Sequence, residues 1–196
     1  LSDDAFSNQL NEVSIDQNAA IVNTSAESGT GSSSGGCVTR ASDIDKDVQN
    51  FVGPISQLKE ATGQDNAVIS ETSNKVDIVH NIQATNDCDE SDAGANIEGC
   101  RNEAVNTIGS ITQKNTADGS NVEDIDGDNL VSVNQNLQAK NDCDESGDGN
   151  NNAFCTIEAS NSIGSITQTN KEDGDLGDIF DQDNILAINQ KLVAEN

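Results

Sequence analysis

The sequence predicts an all-β repeat protein, built as a β-solenoid or cross-β-like stack of three to three-and-a-half units of about 55 residues each. The first observation behind this fold class is that the hexapeptide NDCDES occurs at residues 86–91 and again at 141–146. The second is that apolar and polar residues alternate in segments that recur at the same interval of 55 positions. Alternation with a period of two is typical of a strand with one buried face. A two-sheet β-sandwich with strand donation is the alternative fold for the same segments.

Each unit contains two strand-like segments, called segment A and segment B, in the order segment A, cysteine loop, segment B, acidic loop. Segment A contains DNLVSVNQ at 128–135 and DNILAINQ at 183–190. Segment B contains NTIGSITQ at 106–113 and NSIGSITQ at 161–168, and its Ile-Gly-Ser-Ile motif breaks the alternation as a bulge or arc would. The chain therefore alternates the two segments and ends in a fourth segment A.

The first third of the chain is a more divergent copy of the same unit. NEVSIDQN at 11–18 matches segment A, and FVGPISQ at 51–57 takes the place of TIGSITQ in segment B. Pro54 stands where the later units have serine. Because proline cannot complete a central ladder, we expect this unit at the edge of the stack. The units form one all-β domain over 1–196, with boundaries at 11–75, 76–130 and 131–185 and a terminal strand at 185–196.

The apolar face of segment A has a polar residue at its centre in every unit. Burying an unpaired amide costs about 1–3 kcal/mol. If equivalent segments lie parallel and in register, each amide can donate to its counterpart one unit away, and a histidine can act there as donor and acceptor. The opposite register would bury Ser132, Asn134 and Asn136 instead. We therefore expect an inward polar ladder in which the only histidine of the chain is structural. Its members are Gln17, His80, Gln135 and Gln190.

The composition restricts the partners of the chain. Nine Lys and Arg against 35 Asp and Glu give a net charge of −26, which excludes nucleic acid and anionic membranes and favours divalent cations. Aromatic residues make up 2% of the chain, and Trp, Tyr and Met are absent, so Val, Ile, Leu and Ala must form the core. No apolar run approaches the roughly 18 residues of a membrane span. Because the sequence has no initial Met or leader-like segment, we expect a mature, secreted chain.

Two cysteine loops repeat the spacing Cys-x11-Cys, which lacks the clustering of zinc ligands and favours disulfides over a metal site. The expected pairs are Cys88 with Cys100 and Cys143 with Cys155. Each would stabilise the fold by about 3 kcal/mol and indicates an extracellular or cell-surface location. Ser25 replaces the first cysteine of the first unit, so Cys37 is a free thiol or an intermolecular crosslink. Asn23 begins the only N-glycosylation sequon.

Acidic loops follow segment B, as DGSNVEDIDGDN at 118–129 and KEDGDLGDIFDQDN at 171–184. Stacking the units would bring like charges within a strand spacing of each other, where they repel. Oxygen ligands in glycine-containing loops suit Ca²⁺, and a solvated acidic surface is the alternative. The sequence therefore indicates calcium as a cofactor. The candidate ligands are Asp124, Asp126, Asp128, Asp178, Asp181 and Asp183.

Asn and Gln recur at fixed offsets among small residues and Val or Ile, as in VNQNLQAKN at 133–141 and SNSIGSITQTN at 160–170. These segments resemble curlin-type repeats and, more closely, the Asn/Gln-rich cysteine-loop repeats of secreted archaeal surface proteins. The resemblance implies an extracellular fibre subunit.

The fourth segment A has no segment B of its own and could complete the first unit of a neighbour by strand addition. The chain is thus predicted to be a structural subunit of a pilus-like or curli-like filament, a homopolymer with the fourth segment A docked beside the first segment A of the next copy. The expected polymerisation residues are Ile185, Leu186, Ile188 and Leu192. The alternative is a monomeric calcium-stabilised cell-surface adhesion or binding module. We expect no enzyme, because the carboxylates lie in repeated loops and no nucleophile motif occurs.

Overall fold

The computed structural model describes residues 9–27, 38–41, 50–63, 72–90, 101–119, 125–145, 156–173, 180–181 and 183–195. Within these ranges the chain forms strands joined by short turns and contains no helix, which confirms the prediction of an all-β chain. The strands are β1 (Gln9–Glu27), β2 (Val38–Ala41), β3 (Asn50–Val52), β4 (Ile55–Gly63), β5 (Thr72–Glu90), β6 (Arg101–Ile108), β7 (Ile111–Gly119), β8 (Ile125–Asp126), β9 (Asn129–Glu145), β10 (Thr156–Ile163), β11 (Ile166–Asp173), β12 (Phe180–Asp181) and β13 (Asn184–Glu195).

The strands stack into parallel sheets. Four long strands form one sheet in the order β1, β5, β9, β13, which we call the long-strand sheet. A second layer contains the order β10, β6, β2, with β3 also beside β6, and the order β11, β7, β4. β12 and β8 form a short fourth pair. Each of these pairings is parallel, as in a β-solenoid-like stack and unlike the antiparallel sheets of an immunoglobulin-type sandwich.

The register places equivalent residues of successive units side by side. Val76 of β5 pairs with Val131 of β9, which pairs with Leu186 of β13. In the first unit the register is interrupted, because Ala41 pairs with Ala104 and Asn50 with Asn106. The residues between them, 42–49, lie outside the described part of the chain.

The core lies between the long-strand sheet and the second layer and forms two apolar clusters. Ile78 and Ile108 belong to one cluster, and Ile82 and Leu137 to the other. Between these clusters runs a band of buried polar side chains, which includes His80 of the long-strand sheet. Small aliphatic side chains suffice for this core because each one also contacts its counterpart in the next unit.

Each second-layer copy lies between two successive long strands. Gln113 Nε2 donates to the carbonyl oxygens of Asn74 in β5 and Leu130 in β9, both at 3.0 Å. Gln168 Nε2 does the same between β9 and β13, donating to Asn129 O at 2.7 Å and to Ile185 O at 3.1 Å. The described stack therefore begins and ends with a long strand, β1 at one end and β13 at the other.

Tight glycine turns connect the two strands of each second-layer copy. Gly109 N donates to Val52 O at 2.7 Å, and Gly164 N donates to Ile108 O at 2.8 Å, so the turns stack backbone on backbone. A Cβ at Gly164 would lie 2.7 Å from Ser110 N, closer than a methyl group can approach. A Cβ at Gly53, in the outermost turn, would meet nothing within 4 Å.

The stacked turns predict different effects for the same substitution at two glycines. Gly164→Ala should lower the free energy of unfolding of the unpolymerised protein by about 1–3 kcal/mol, because the added methyl group forces the turns apart. Gly53→Ala is the matched control and should leave the unfolding free energy unchanged. Denaturant unfolding followed by circular dichroism measures both, and equal effects of the two substitutions would contradict the stacked turns.

Candidate functional site

A ladder of glutamine amides connects the copies of the second layer. Gln168 Nε2 donates to Gln113 Oε1 at 3.0 Å, and Gln113 Nε2 donates to Gln57 Oε1 at 2.9 Å. Gln57 and Gln113 are buried. Because each Nε2 also faces carbonyl oxygens of the long strands, nitrogen must be the donor and Oε1 is left to accept from the next copy. The ladder thus links neighbouring units and both layers at once.

Two asparagine columns repeat this arrangement with the opposite sense. In the long-strand sheet, Asn74 Nδ2 donates to Asn129 Oδ1 at 3.0 Å, and Asn129 Nδ2 donates to Asn184 Oδ1 at 2.9 Å. In the second layer, Asn106 Nδ2 donates to Asn161 Oδ1 at 2.8 Å. The asparagine donors of these two columns therefore point toward the β13 end, whereas the donors of the glutamine ladder point toward the β1 end.

The opposite senses make the two ends of the stack complementary. At the β13 end, the next partner of Gln168 Oε1 would be an amide donor, and that of Asn161 Nδ2 an acceptor. At the β1 end, Gln57 Nε2 occupies the donor position and Asn50 Oδ1 the acceptor position. The hydrogen bonds inside the stack could therefore continue from one copy to another in the same geometry.

Segment B carries a sequence signal for the glutamine ladder and for the second-layer asparagine column. Gln113 and Gln168 are identical amides at the 55-residue interval, as are Asn106 and Asn161. Identical buried amides at the repeat interval indicate a ladder wherever the strands are parallel.

The predicted inward column is aligned, but only one of its contacts is a hydrogen bond between neighbouring members. The register places Gln17 beside His80, His80 beside Gln135, and Gln135 beside Gln190. Gln190 Nε2 donates to Gln135 Oε1 at 2.6 Å. Gln17 and Gln135 donate instead across the core, to Phe51 O at 3.3 Å and Ser162 O at 3.2 Å.

The expectation that His80 acts as donor and acceptor in this column is wrong. His80 is fully buried, and neither ring nitrogen has a hydrogen-bond partner. Gln17 Oε1, on the neighbouring strand, is also buried without a partner. An imidazole holds its nitrogens in a rigid ring, whereas a carboxamide rotates to meet neighbours on both sides. Burial disfavours the charged imidazolium and so lowers the pKa of His80 below its ordinary value of 6.5.

Lys59 is a second buried base near the β1 end. It stands in β4 at the position that asparagine occupies in the next two copies, Asn115 and Asn170. The residue is 4% exposed, and its Nζ has no hydrogen-bond partner. Burial lowers the pKa of Lys59 below its ordinary value of 10.5. The two basic substitutions thus interrupt polar columns in the first and second units.

The four predicted polymerisation residues all lie on β13 and are partly exposed. Leu186 is 49% exposed, Ile188 and Leu192 are each 46% exposed, and Ile185 is 44% exposed. Leu186, Ile188 and Leu192 continue columns that are fully buried in β5 and β9. They are exposed because the last copy of the second layer lies between β9 and β13, so no copy covers the outer side of β13.

The opposite end, β1, presents a different set of side chains. Ala19 occupies the column that holds Ile82, Leu137 and Leu192 in the other long strands. Glu12 Oε1 forms an ion pair with Lys75 Nζ of β5 at 2.8 Å. Because both side chains are exposed, this ion pair contributes little to stability.

The candidate calcium ligands are described only in part. Asp126 pairs with Asp181 in the β8–β12 pair, and Asp128 Oδ1 accepts a hydrogen bond from the Asp183 backbone N at 3.1 Å. Asp124 and Asp178 lie outside the described residues. Among the side chains that the structure describes, no group of three or more His, Cys, Asp or Glu is arranged to hold a metal ion. The calcium site stays a prediction.

The cysteines and the sequon are also described only in part. In the parallel register, Cys88 of β5 lies beside Cys143 of β9, and Asn23 of β1 lies beside Asn86 of β5. Cys37, Cys100 and Cys155 lie outside the described residues, so both disulfides stay predictions. The described ranges contain no helix that could span a membrane.

Comparison with known proteins found no matching family model, no matching curated protein and no matching solved structure. A function for this chain therefore has to be inferred from its own residues.

The buried histidine predicts that the fold is sensitive to acid. Because its folded pKa lies below 6.5, the unfolded chain binds the proton more tightly, and stability should fall as the pH drops through about 6.5 toward the folded pKa. His80→Gln removes this titration and supplies an amide in its place, so the variant should be more stable than the wild type at pH 5. Unfolding free energies of both proteins at pH 5 and pH 8 measure the effect. A stability difference that is independent of pH would contradict it.

Proposed function

We propose that this protein is a structural subunit of an extracellular filament, pilus-like or curli-like, in which identical copies assemble head to tail through the ends of the strand stack. The observation that carries the proposal is the β13 end, where apolar side chains that belong to core columns are about half exposed. An open parallel strand of this kind is a template for another strand.

The two ends differ, and this difference determines the type of assembly. β13 carries half-exposed Leu186, Ile188 and Leu192, whereas the β1 end offers a matching apolar column and amides of complementary sense. A contact between two different surfaces of the same chain is heterologous, and when it does not close into a ring it generates a filament. The two unlike ends of the stack therefore favour self-assembly along the stack axis over a single binding site.

The proposal includes an extracellular location, with the predicted disulfides in the cysteine loops and calcium in the acidic loops. Asp126 pairs with Asp181 in the β8–β12 pair, and Asp128 Oδ1 accepts a hydrogen bond from Asp183 N, in a chain of net charge −26. A divalent cation would offset the mutual repulsion of these negative charges, and a polymer would add such contacts along its whole length.

A charge on the end surface should block assembly without unfolding the subunit. Ile188→Lys places an ammonium group where the proposed joint would bury it, so the amount of sedimentable filament should fall about tenfold or more. Gln138→Lys is the matched control, because Gln138 is exposed on β9, an internal strand of the long-strand sheet, and the substitution adds the same charge. Electron microscopy and sedimentation of both variants measure the difference. A wild-type protein that stays monomeric at all concentrations would overturn the proposal and favour a binding module.

Calcium should stabilise the fold through the acidic loops. Saturating Ca²⁺, at about a hundred times its dissociation constant, should add about 2.7 kcal/mol to the free energy of unfolding, and chelation should remove it. Asp128→Asn should weaken the response, whereas Asp77→Asn, on the long-strand sheet, should not. Thermal unfolding at constant ionic strength separates specific binding from screening. Equal stabilisation by Mg²⁺ and Ca²⁺ would indicate screening of a solvated acidic surface.

A further inference from the structure

The stack permits two joints between copies, because the described part of the chain has four long strands but only three second-layer copies between them. In an addition joint, β13 lies outside β1 of the next copy. The second layer then lacks one copy at the joint, between β11 and the neighbour's β4. In an exchange joint, β13 takes the place of the neighbour's β1 beside its β5. The second layer is then continuous, with β4 of the neighbour directly on β11.

We propose that copies join by strand exchange: β13 of one copy replaces β1 of the next, in the register that aligns Gln190 with His80 of the neighbour. This inference rests on the proposed filament function and specifies how its joint is built. Addition forms one new long-strand pairing, whereas exchange replaces the β1–β5 pairing with a β13–β5 pairing and adds second-layer pairings, such as β11 with β4 of the neighbour. The two joints also differ in what they bury. Only exchange covers the half-exposed Leu186, Ile188 and Leu192 with a second-layer copy.

Gly53 is the first observation that favours exchange. Gly109 and Gly164 must be glycine because another turn lies directly below each of them. Gly53 has the same place in the outermost turn, yet a Cβ there would meet nothing within 4 Å, and its backbone does not adopt the left-handed region. A glycine at position 53 is explained if the Gly164–Ser165 turn of another copy packs against it. An addition joint leaves this position empty.

The backbone groups of the turns continue the same pattern across the exchange joint. Within the chain, glycine N–H groups donate toward the β1 end, and Ile111 N donates toward the β13 end, to Ser165 O at 2.9 Å. At the joint, Gly53 N would donate to Ile163 O of the preceding copy. Ile166 N of that copy would donate to Pro54 O. Proline is tolerated here because this position accepts rather than donates.

The side-chain ladders are also complementary across this joint. Gln57 Nε2 would donate to Gln168 Oε1 of the preceding copy, as Gln113 Nε2 donates to Gln57 Oε1 inside the chain. Asn161 Nδ2 would donate to Asn50 Oδ1 in the same way as Asn106 Nδ2 donates to Asn161 Oδ1. The Lys59 column does not continue, because Lys59 Nζ and the buried Asn170 Nδ2 are both donors. The Gln57 and Asn50 columns would therefore continue across the joint, whereas the Lys59 column would not.

The strand that would be displaced, β1, pairs with β5 along its 19 residues, but one column of this pairing is unsatisfied. Between β1 and β5, Gln17 Oε1 and both nitrogens of His80 are buried without partners. Between β9 and β13, the equivalent contact is the hydrogen bond from Gln190 to Gln135. β13 would also bring Leu192 to the column in which β1 has only Ala19, and a larger side chain there buries more apolar surface.

Cysteine crosslinking distinguishes the two joints. Directly opposed residues of neighbouring strands are about 4.8 Å apart, within disulfide range. Lys191 would lie opposite Asn81 of the next copy after exchange and opposite Asn18 after addition. In a Cys37→Ser background, Lys191→Cys protein is assembled with either Asn81→Cys or Asn18→Cys protein and oxidised. Exchange predicts a dimer band only with Asn81→Cys, and each variant assembled alone is the control.

Two further measurements use the full chain without new cysteines. Hydrogen exchange of residues 9–27 should become faster on polymerisation if β1 is released, and slower if β13 is added outside it. Gly53→Ala should keep wild-type monomer stability but lose filament formation.

The outcomes separate this inference from the proposed function. Filaments that crosslink through Asn18→Cys, protect residues 9–27 and tolerate Gly53→Ala overturn strand exchange while the filament stands. A wild-type chain that forms no polymer and no crosslink of either kind overturns both.

Discussion

Every buried side-chain amide in this stack needs a partner, and parallel pairing in register provides one by placing an identical amide in the next unit. Gln113 shows how far this constraint reaches. Its Nε2 contacts Gln57 of the preceding unit and carbonyl oxygens of two long strands, so one side chain fixes the register of the second layer and its height relative to the long-strand sheet. The cost of leaving such a group unpaired, about 1–3 kcal/mol, penalises any other register. The fold can therefore dispense with large aromatic side chains.

The same constraint leaves hydrogen-bonding groups open at the ends of the stack. Inside the stack, the Gln57–Gln113–Gln168 column is hydrogen-bonded from unit to unit, whereas a terminal unit leaves its columns open on one side. The β13 end adds apolar columns that stop half covered at Leu186 and Ile188. Repeat proteins in general require capping units for solubility, and among the described residues neither end carries one. The interactions that hold the subunit together are thus of the kind that would hold a filament together.

The sequence was sufficient for the strand type, the repeat interval and the inward face of the long strands, because a period of two and a recurrence of 55 residues are one-dimensional signals. It was not sufficient for the partners of the amides. Periodicity says that Gln17 and His80 share a face, but the reach of an imidazole decides whether they bond, and here they do not. The position of each second-layer copy between two long strands could not be predicted either. It depends on which carbonyl oxygens Gln168 contacts across the core. One cysteine of each expected disulfide and two of the six candidate calcium ligands, Asp124 and Asp178, lie outside the described residues.

Nuclear magnetic resonance of the side-chain amides tests the central claim, the parallel in-register ladder, most directly. The amide signals of Gln57, Gln113 and Gln168 can be assigned in ¹⁵N-labelled protein by substituting each residue in turn. The account predicts Overhauser cross-peaks between the amide protons of Gln113 and those of both other glutamines, together with slow exchange of these protons with water. Absence of these cross-peaks, with all three amides exchanging as rapidly as exposed Gln138, would contradict it.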